Sequence, residues 1–130
     1  QPILSLFDTP HNNNQCRRQI GHCLAEICAT LSILSPSDSD DAIKTIVAAI
    51  SPKCMESDVE SFRLVTSLAD RAPIPLSRSG AAKNLPAVFQ TVSAAKTSME
   101  IMEALIEAVV FVGIASHLAT SSEAQNDPSL

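Results

Sequence analysis

The segment IMEALIEAVVFVGIASHL, residues 101–118, is the most apolar part of the sequence, and the rest of the chain is interpreted around it. In its first half, acidic side chains at helical spacing mark one face, and the opposite face is apolar. The acidic residues are Glu100, Glu103 and Glu107, and the apolar ones are Ile101, Met102, Leu105 and Ile106. This half is typical of an amphipathic helix at the surface of a bundle.

The second half of the segment, after Glu107, has no polar face. A helix that is apolar all round is buried on all sides, which predicts either the central helix of a bundle or half of a dimer contact. The run is too short and too acidic at its start to predict a transmembrane span.

The composition favours one helical domain without β-strands. Of the 130 residues, 45% are hydrophobic but only 3% are aromatic, so the core is expected to consist of Ile, Leu, Val and Ala. Five segments repeat apolar residues every three or four positions, and none alternates as a strand does. We therefore predict an all-α fold, a five-helix, mostly antiparallel bundle over residues 1–119. The polar residues 120–130 are expected to form a disordered tail or linker.

Prolines and capping residues predict the helix boundaries. Pro52 is expected to stop the second helix, and residues 72–79, with two prolines, are expected to form a loop. Ser57-Asp58-Val59-Glu60 and Thr97-Ser98-Met99-Glu100 match the capping box that opens a helix.

Four cysteines are the disulfide candidates, and three of them fall on the predicted apolar stripe of the first helix. Neighbouring cysteines on that helix are about 8–10 Å apart, beyond the roughly 7 Å that a disulfide bridges. The remaining one, in the second helix, is therefore the only intramolecular partner, and the hairpin register pairs it with either of the first two. The four are Cys16, Cys23, Cys28 and Cys54. No Cys-x-x-Cys pair is present, so no metal is expected.

Charge and motif content disfavour several classes of protein. The net charge of −5 argues against nucleic-acid binding, and no basic amphipathic stretch predicts binding to a membrane surface. His22 and Cys23 are adjacent, so on a helix their side chains point about 100° apart and cannot form a nucleophile–base contact. No catalytic site and no cofactor are expected, and the chain is interpreted as a non-enzyme.

Two stretches resemble the terminal domains of spider-silk proteins, the spidroins. Leu6-Phe7-Asp8-Thr9-Pro10 before a cysteine-bearing helix resembles the opening of the N-terminal type, and residues 103–110, EALIEAVV, resemble the apolar helix of the C-terminal type. Length and helix count favour the N-terminal type. The resemblance implies a secreted, extracellular domain that homodimerises in response to pH and controls assembly. A chain that begins at Gln with four cysteines also fits a mature secreted domain.

The last helix is where a dimer contact is expected. If the helix packs on its own bundle through Leu105, Val109 and Val112, an apolar patch is left facing outward. That predicted interface consists of Val110, Phe111 and Ile114. Glu103 and Glu107 are the expected pH-sensing carboxylates, whose repulsion is relieved as the pH falls toward about 5. The alternative is a small helical carrier or inhibitor protein with an aliphatic ligand cavity.

Overall fold

A computed structural model describes residues 14–94 and 98–126, and within these ranges the chain is helical without any strand. The all-α prediction is confirmed, although the described residues form six α-helices and a 3₁₀ turn rather than five helices. The elements are α1 (Asn14–Leu34), α2 (Pro36–Met55), α3 (Val59–Arg71), α4 (Pro73–Arg78), the 3₁₀ turn (Ala81–Asn84), α5 (Leu85–Ala94) and α6 (Met99–Asn126).

Helix α3 lies at the centre of the bundle. The sequence had predicted that position as one of two alternatives for the last helix. It packs against α1, α2, α4 and α6. Seven of its 13 residues are buried, including two that are polar. These residues are Glu60, Ser61, Phe62, Leu64, Val65, Leu68 and Ala69. The ring of Phe62 lies 6.2 Å from that of Phe89 on α5, so α3 also holds the short fifth helix in the core.

Three predicted boundaries are wrong because proline and capping motifs act differently in this fold. Residues 73–78 form helix α4, since both of its prolines lie in the first turn, where the amide groups lack partners anyway. Helix α2 continues through Pro52 to Met55, because Pro52 is exposed and lies in the last turn, where its missing amide removes a single helical hydrogen bond. Glu60 does not cap α3, because its side chain is buried in ion pairs instead.

The start of the last helix is capped one residue later than predicted. The backbone amide of Ile101 donates to the Ser98 hydroxyl at 3.3 Å, so Ser98 is the capping residue. Thr97, the first residue of the predicted capping box, lies outside the described residues.

Helix α1 presents a different stripe to the core from the one that its apolar residues predict. Leu24, Ala25 and Cys28 are buried, but Cys16 and Cys23 are exposed. The same orientation lets two arginines at the start of α1 form ion pairs with the start of α3, Arg17 with Asp58 and Arg18 with Glu60.

Helix α6 runs along the edge of the bundle and is longer than predicted. It packs against α3, α4 and α5 and continues to Asn126, seven residues beyond Ala119, where the end of the domain was expected. Residues 127–130 lie outside the described ranges.

Candidate functional site

The outer face of α6 is the largest concentration of exposed apolar side chains in the described part of the chain. Six of the eleven large apolar residues exposed there belong to α6. They are Met99, Ile106, Val109, Val110, Ile114 and Leu118. Side chains at the middle of the face remain about half accessible: 56% for Ile106, 50% for Val110 and 51% for Ile114. Large contiguous apolar patches are uncommon on monomeric proteins and usually mark a site of interaction.

The inner face of α6 explains why the outer one is left uncovered. Its buried residues follow spacings of three and four, and most of them are alanines. They are Ala104, Leu105, Ala108, Val112, Ala115 and Ala119. Small side chains let α6 lie close to the bundle, so its larger aliphatic residues fall on the flanks and the outside.

One position of the predicted interface and one of the predicted inward positions are therefore reassigned. Phe111 is half buried and packs against the core, so it does not lie on an exposed patch. Val109, predicted to pack inward with Leu105 and Val112, is exposed instead. Val110 and Ile114 are exposed as expected. The helix is rotated by less than one residue position from the predicted orientation, because Leu105 and Val112 stay buried and Val110 and Ile114 stay exposed.

The two carboxylates expected to sense pH are both exposed but have different surroundings. Glu107 lines a cleft between α1, α3 and α6 of about 180 Å³, together with three arginines. Those arginines are Arg17, Arg18 and Arg63. Glu103 lies one turn earlier, on the side of α6 that continues into Val110. The structure thus brings Glu103 to the apolar face and Glu107 to the charged cleft.

The floor of that cleft holds the most unusual charge in the described residues, the carboxylate of Glu60, which is 2% exposed. It accepts a hydrogen bond from an Arg18 nitrogen at 3.1 Å and another from an Arg63 nitrogen at 3.1 Å. Burial raises the pKa of Glu60 above its usual range, and the nearby Arg18 charge only partly offsets that effect. Sequence reasoning missed this site because its partners are 42 residues apart in the chain.

Asp58, at the N-cap of α3, is a second paired carboxylate. Burial acts to raise its pKa, but hydrogen bonds from Arg17 and Ser61 outweigh it and hold the pKa below the usual range. Both carboxylates form ion pairs with arginines of the same chain, and the pairs with Arg17 and Arg18 join α1 to α3.

His22 and Glu26, one turn apart on α1, contact different residues of α3. Glu26, one turn along α1, pairs with Arg71 at 2.6 Å. The imidazole Nδ1 of His22 instead lies 3.5 Å from the Ser67 hydroxyl, and both residues line the cleft. A contact of this length between accessible groups does not activate a serine nucleophile.

The four cysteines differ in burial. Cys16 and Cys23 are exposed, whereas Cys28 and Cys54 are buried. Burial raises the pKa of the Cys28 thiol to about 11 and that of Cys54 to about 12. No disulfide joins any of the four, so the predicted link from Cys54 to Cys16 or Cys23 is not present in this structure. Within residues 14–94 and 98–126, no three His, Cys, Asp or Glu side chains gather as a metal site would require.

A groove between α5 and α6 adjoins the outer face. It has a volume of about 330 Å³ and is lined almost entirely by apolar atoms. The lining residues are Phe89, Gln90, Ser93, Met102, Leu105, Ile106, Val109 and Val110. It extends the apolar surface of α6 onto the neighbouring helix.

Helix α6 also has the length and composition of a membrane span. Within Met99–Ser121, an 18-residue segment has a mean hydropathy of 1.8, and 28% of that segment is buried in the bundle. The expectation that the segment is too short for a bilayer is therefore wrong. Core helices of soluble proteins meet the same test, and three glutamates interrupt the first half of this one.

No family model matches the chain, and neither a curated protein nor a solved structure is similar to it.

Proposed function

We propose that this domain is a non-enzymatic assembly domain that acts by homodimerising through the outer face of α6. The observation that carries the proposal is the row of half-exposed aliphatic side chains on that helix. Fully burying one such side chain is worth about 1.5–3 kcal/mol, so hiding the remaining half of several from each copy supplies a substantial driving force. In the charged cleft between α1, α3 and α6, by contrast, the buried Glu60 is already paired with Arg18 and Arg63 of the same chain.

The pH response and the location of the domain belong to the same proposal. The charge of Glu103 from each copy would lie beside the apolar contact, so association would depend on pH. A secreted, extracellular domain with the role of a spidroin terminal domain fits this behaviour. The support is the resemblance of residues 103–110 together with the exposure of Val110 and Ile114.

The test is sedimentation of the wild type, Val110→Asp and Ile33→Asp from micromolar to millimolar concentrations, at neutral and mildly acidic pH. Ile33 is a matched control, since it is an exposed aliphatic residue on α1 rather than on α6. We expect a wild-type dimer that tightens as the pH falls, a folded Val110→Asp monomer, and an Ile33→Asp dimer like the wild type. Phe111→Asp is not the informative variant, because Phe111 packs on the core.

Two results would reject the proposal. One is a wild-type monomer throughout the concentration range. The other is binding of the monomer to neutral phosphatidylcholine vesicles through α6, which would assign the face to a bilayer.

A second candidate function, that of a carrier for a small aliphatic ligand, is favoured by the groove between α5 and α6. Its volume of about 330 Å³ is at the lower end of ligand sites. Organic extraction of the purified protein, followed by mass spectrometry, checks this candidate. A stoichiometric lipid or fatty acid that is lost in Phe89→Ala would favour the carrier over the assembly domain.

A further inference from the structure

The outer face of α6 has an unusual symmetry about Val110. Ile106 and Ile114 each lie four residues from it, and Glu103 and His117 each lie seven residues from it. Positions separated by seven residues share a helix face, two turns apart. All five side chains are exposed. The face therefore has an apolar centre, an acidic end and a basic end at equal distances.

We propose that the occupant of this face is α6 of a second copy, lying antiparallel with Val110 on the two-fold axis. The inference rests on the proposed function and specifies its geometry. In a two-fold contact, residue i meets residue j and j meets i. With Val110 at the centre, Glu103 lies level with the partner's His117, and Ile106 lies level with the partner's Ile114.

Charge complementarity selects this orientation over the parallel one. In a parallel pair, Glu103 would face the partner's Glu103, and His117 would face the partner's His117. The antiparallel pair places unlike residues together at both ends. His117 is the only residue of Met99–Ser121 whose side chain can carry a positive charge, so the chain offers Glu103 no other basic partner on this helix.

The dimensions of the contact are consistent with a closed interface. Seven residues of helix span about 10 Å, so the two Glu103–His117 pairs would lie roughly 21 Å apart on either side of the apolar centre. Gly113 lies level with the partner's Glu107, and a Cβ added to Gly113 would meet nothing within 4 Å. The missing side chain leaves space where the second helix approaches.

The test is a charge-exchange series measured by sedimentation equilibrium. The variants are Glu103→Lys, His117→Glu and the double variant, with Glu56→Lys as the control for the change in net charge. Glu56 is exposed after α2, and the two test positions are exposed on α6, so all variants are expected to fold. Circular dichroism and the melting temperature verify that.

We expect each single variant to weaken the dimer roughly five- to tenfold relative to the control, because symmetry makes every change twice. The double variant should return to within about twofold of the wild type, because exchange restores both unlike pairs.

The outcomes separate the register from the proposed function. A wild-type dimer that Glu103→Lys leaves as tight as Glu56→Lys does would indicate a parallel pair, because the substitution then replaces one like-charge contact with another. That outcome would overturn the inference and leave the assembly function intact. Dimer affinity that is the same in all three variants as in the control would also overturn it. So would a double variant that dimerises more weakly than both single variants. If the wild type forms no dimer, the proposed function itself is wrong.

Discussion

Arg17 on α1 donates two parallel hydrogen bonds, of 2.9 and 2.5 Å, to the carboxylate of Asp58 at the start of α3. The two residues are 41 positions apart in the sequence. The fork of the guanidinium matches both carboxylate oxygens, the geometry in which Arg–carboxylate pairs are strongest. The Ser61 hydroxyl also donates to Asp58 at 2.7 Å. This pair joins the start of α1 to the start of α3.

Replacing Asp58 with Asn should destabilise the protein at neutral pH by about 1.5–3 kcal/mol, the range for hydrogen bonds to a charged group. The pKa of Asp58 is lowered by folding, so its contribution is present above the usual aspartate pKa of about 4 and is lost as the pH falls through the folded value. Urea unfolding from neutral to strongly acidic pH should show the two proteins converging in acid. A constant difference at every pH would contradict this account.

Replacing Glu60 with Gln should change stability at neutral pH by less than about 1 kcal/mol, or increase it. The pKa of Glu60 is raised by burial, so its effect has the opposite sign: any contribution is fully present below the usual glutamate pKa and is lost as the pH rises through the folded value. Arg18 and Arg63 stay partly exposed and can be hydrated after the change.

Glu100→Gln is the matched control for Glu60→Gln. Glu100 also approaches Arg63, at 3.9 Å, but it is exposed, and its loss should leave stability unchanged at every pH. A Glu60→Gln protein that loses several kcal/mol at neutral pH would show that the ion pairs outweigh the cost of burial.

Gly80 and Gly113, two of the three glycines, should respond in opposite directions to alanine. Gly113 lies inside α6 with open space at the Cβ position, so Gly113→Ala should stabilise the monomer by up to about 1 kcal/mol. Gly80 has φ +78°, so Gly80→Ala should cost about 1–2 kcal/mol. Thermal unfolding in a Val110→Asp background keeps association out of the comparison. Equal effects at both positions would argue against these backbone assignments.

The cysteines should differ in reactivity toward a maleimide reagent at neutral pH. Cys23 is exposed and should be labelled at once, whereas Cys28 and Cys54 should be labelled only after unfolding, because burial shields both thiols and raises their pKa. Peptide mapping without reduction completes the measurement. Finding Cys54 linked to Cys16 or Cys23 would instead restore the disulfide that the helix spacing predicts.

The fold class followed from local patterns that need no partner. Apolar residues at helical spacing, few aromatics and the absence of alternating stretches predict helices wherever they occur, and the structure confirms them. Val110 and Ile114 could also be placed outside, because they continue the line of Glu103 and Glu107. Proline was misread in α4, since its effect depends on its position within the helix, and that position is set by neighbouring turns.

Tertiary structure decided everything that depends on contacts distant in sequence. The second half of α6 is apolar on every side, so periodicity could not say whether Val109 or Phe111 turns inward. Packing against α3 and α4 made that choice by placing small alanines at the contact. In the same way, nothing near Arg17 and Arg18 in the sequence indicates that they form ion pairs. Their partners, Asp58 and Glu60, lie on α3 and come beside them only in the folded chain. The energy of such pairs depends on distance and burial, and both exist only in the folded chain.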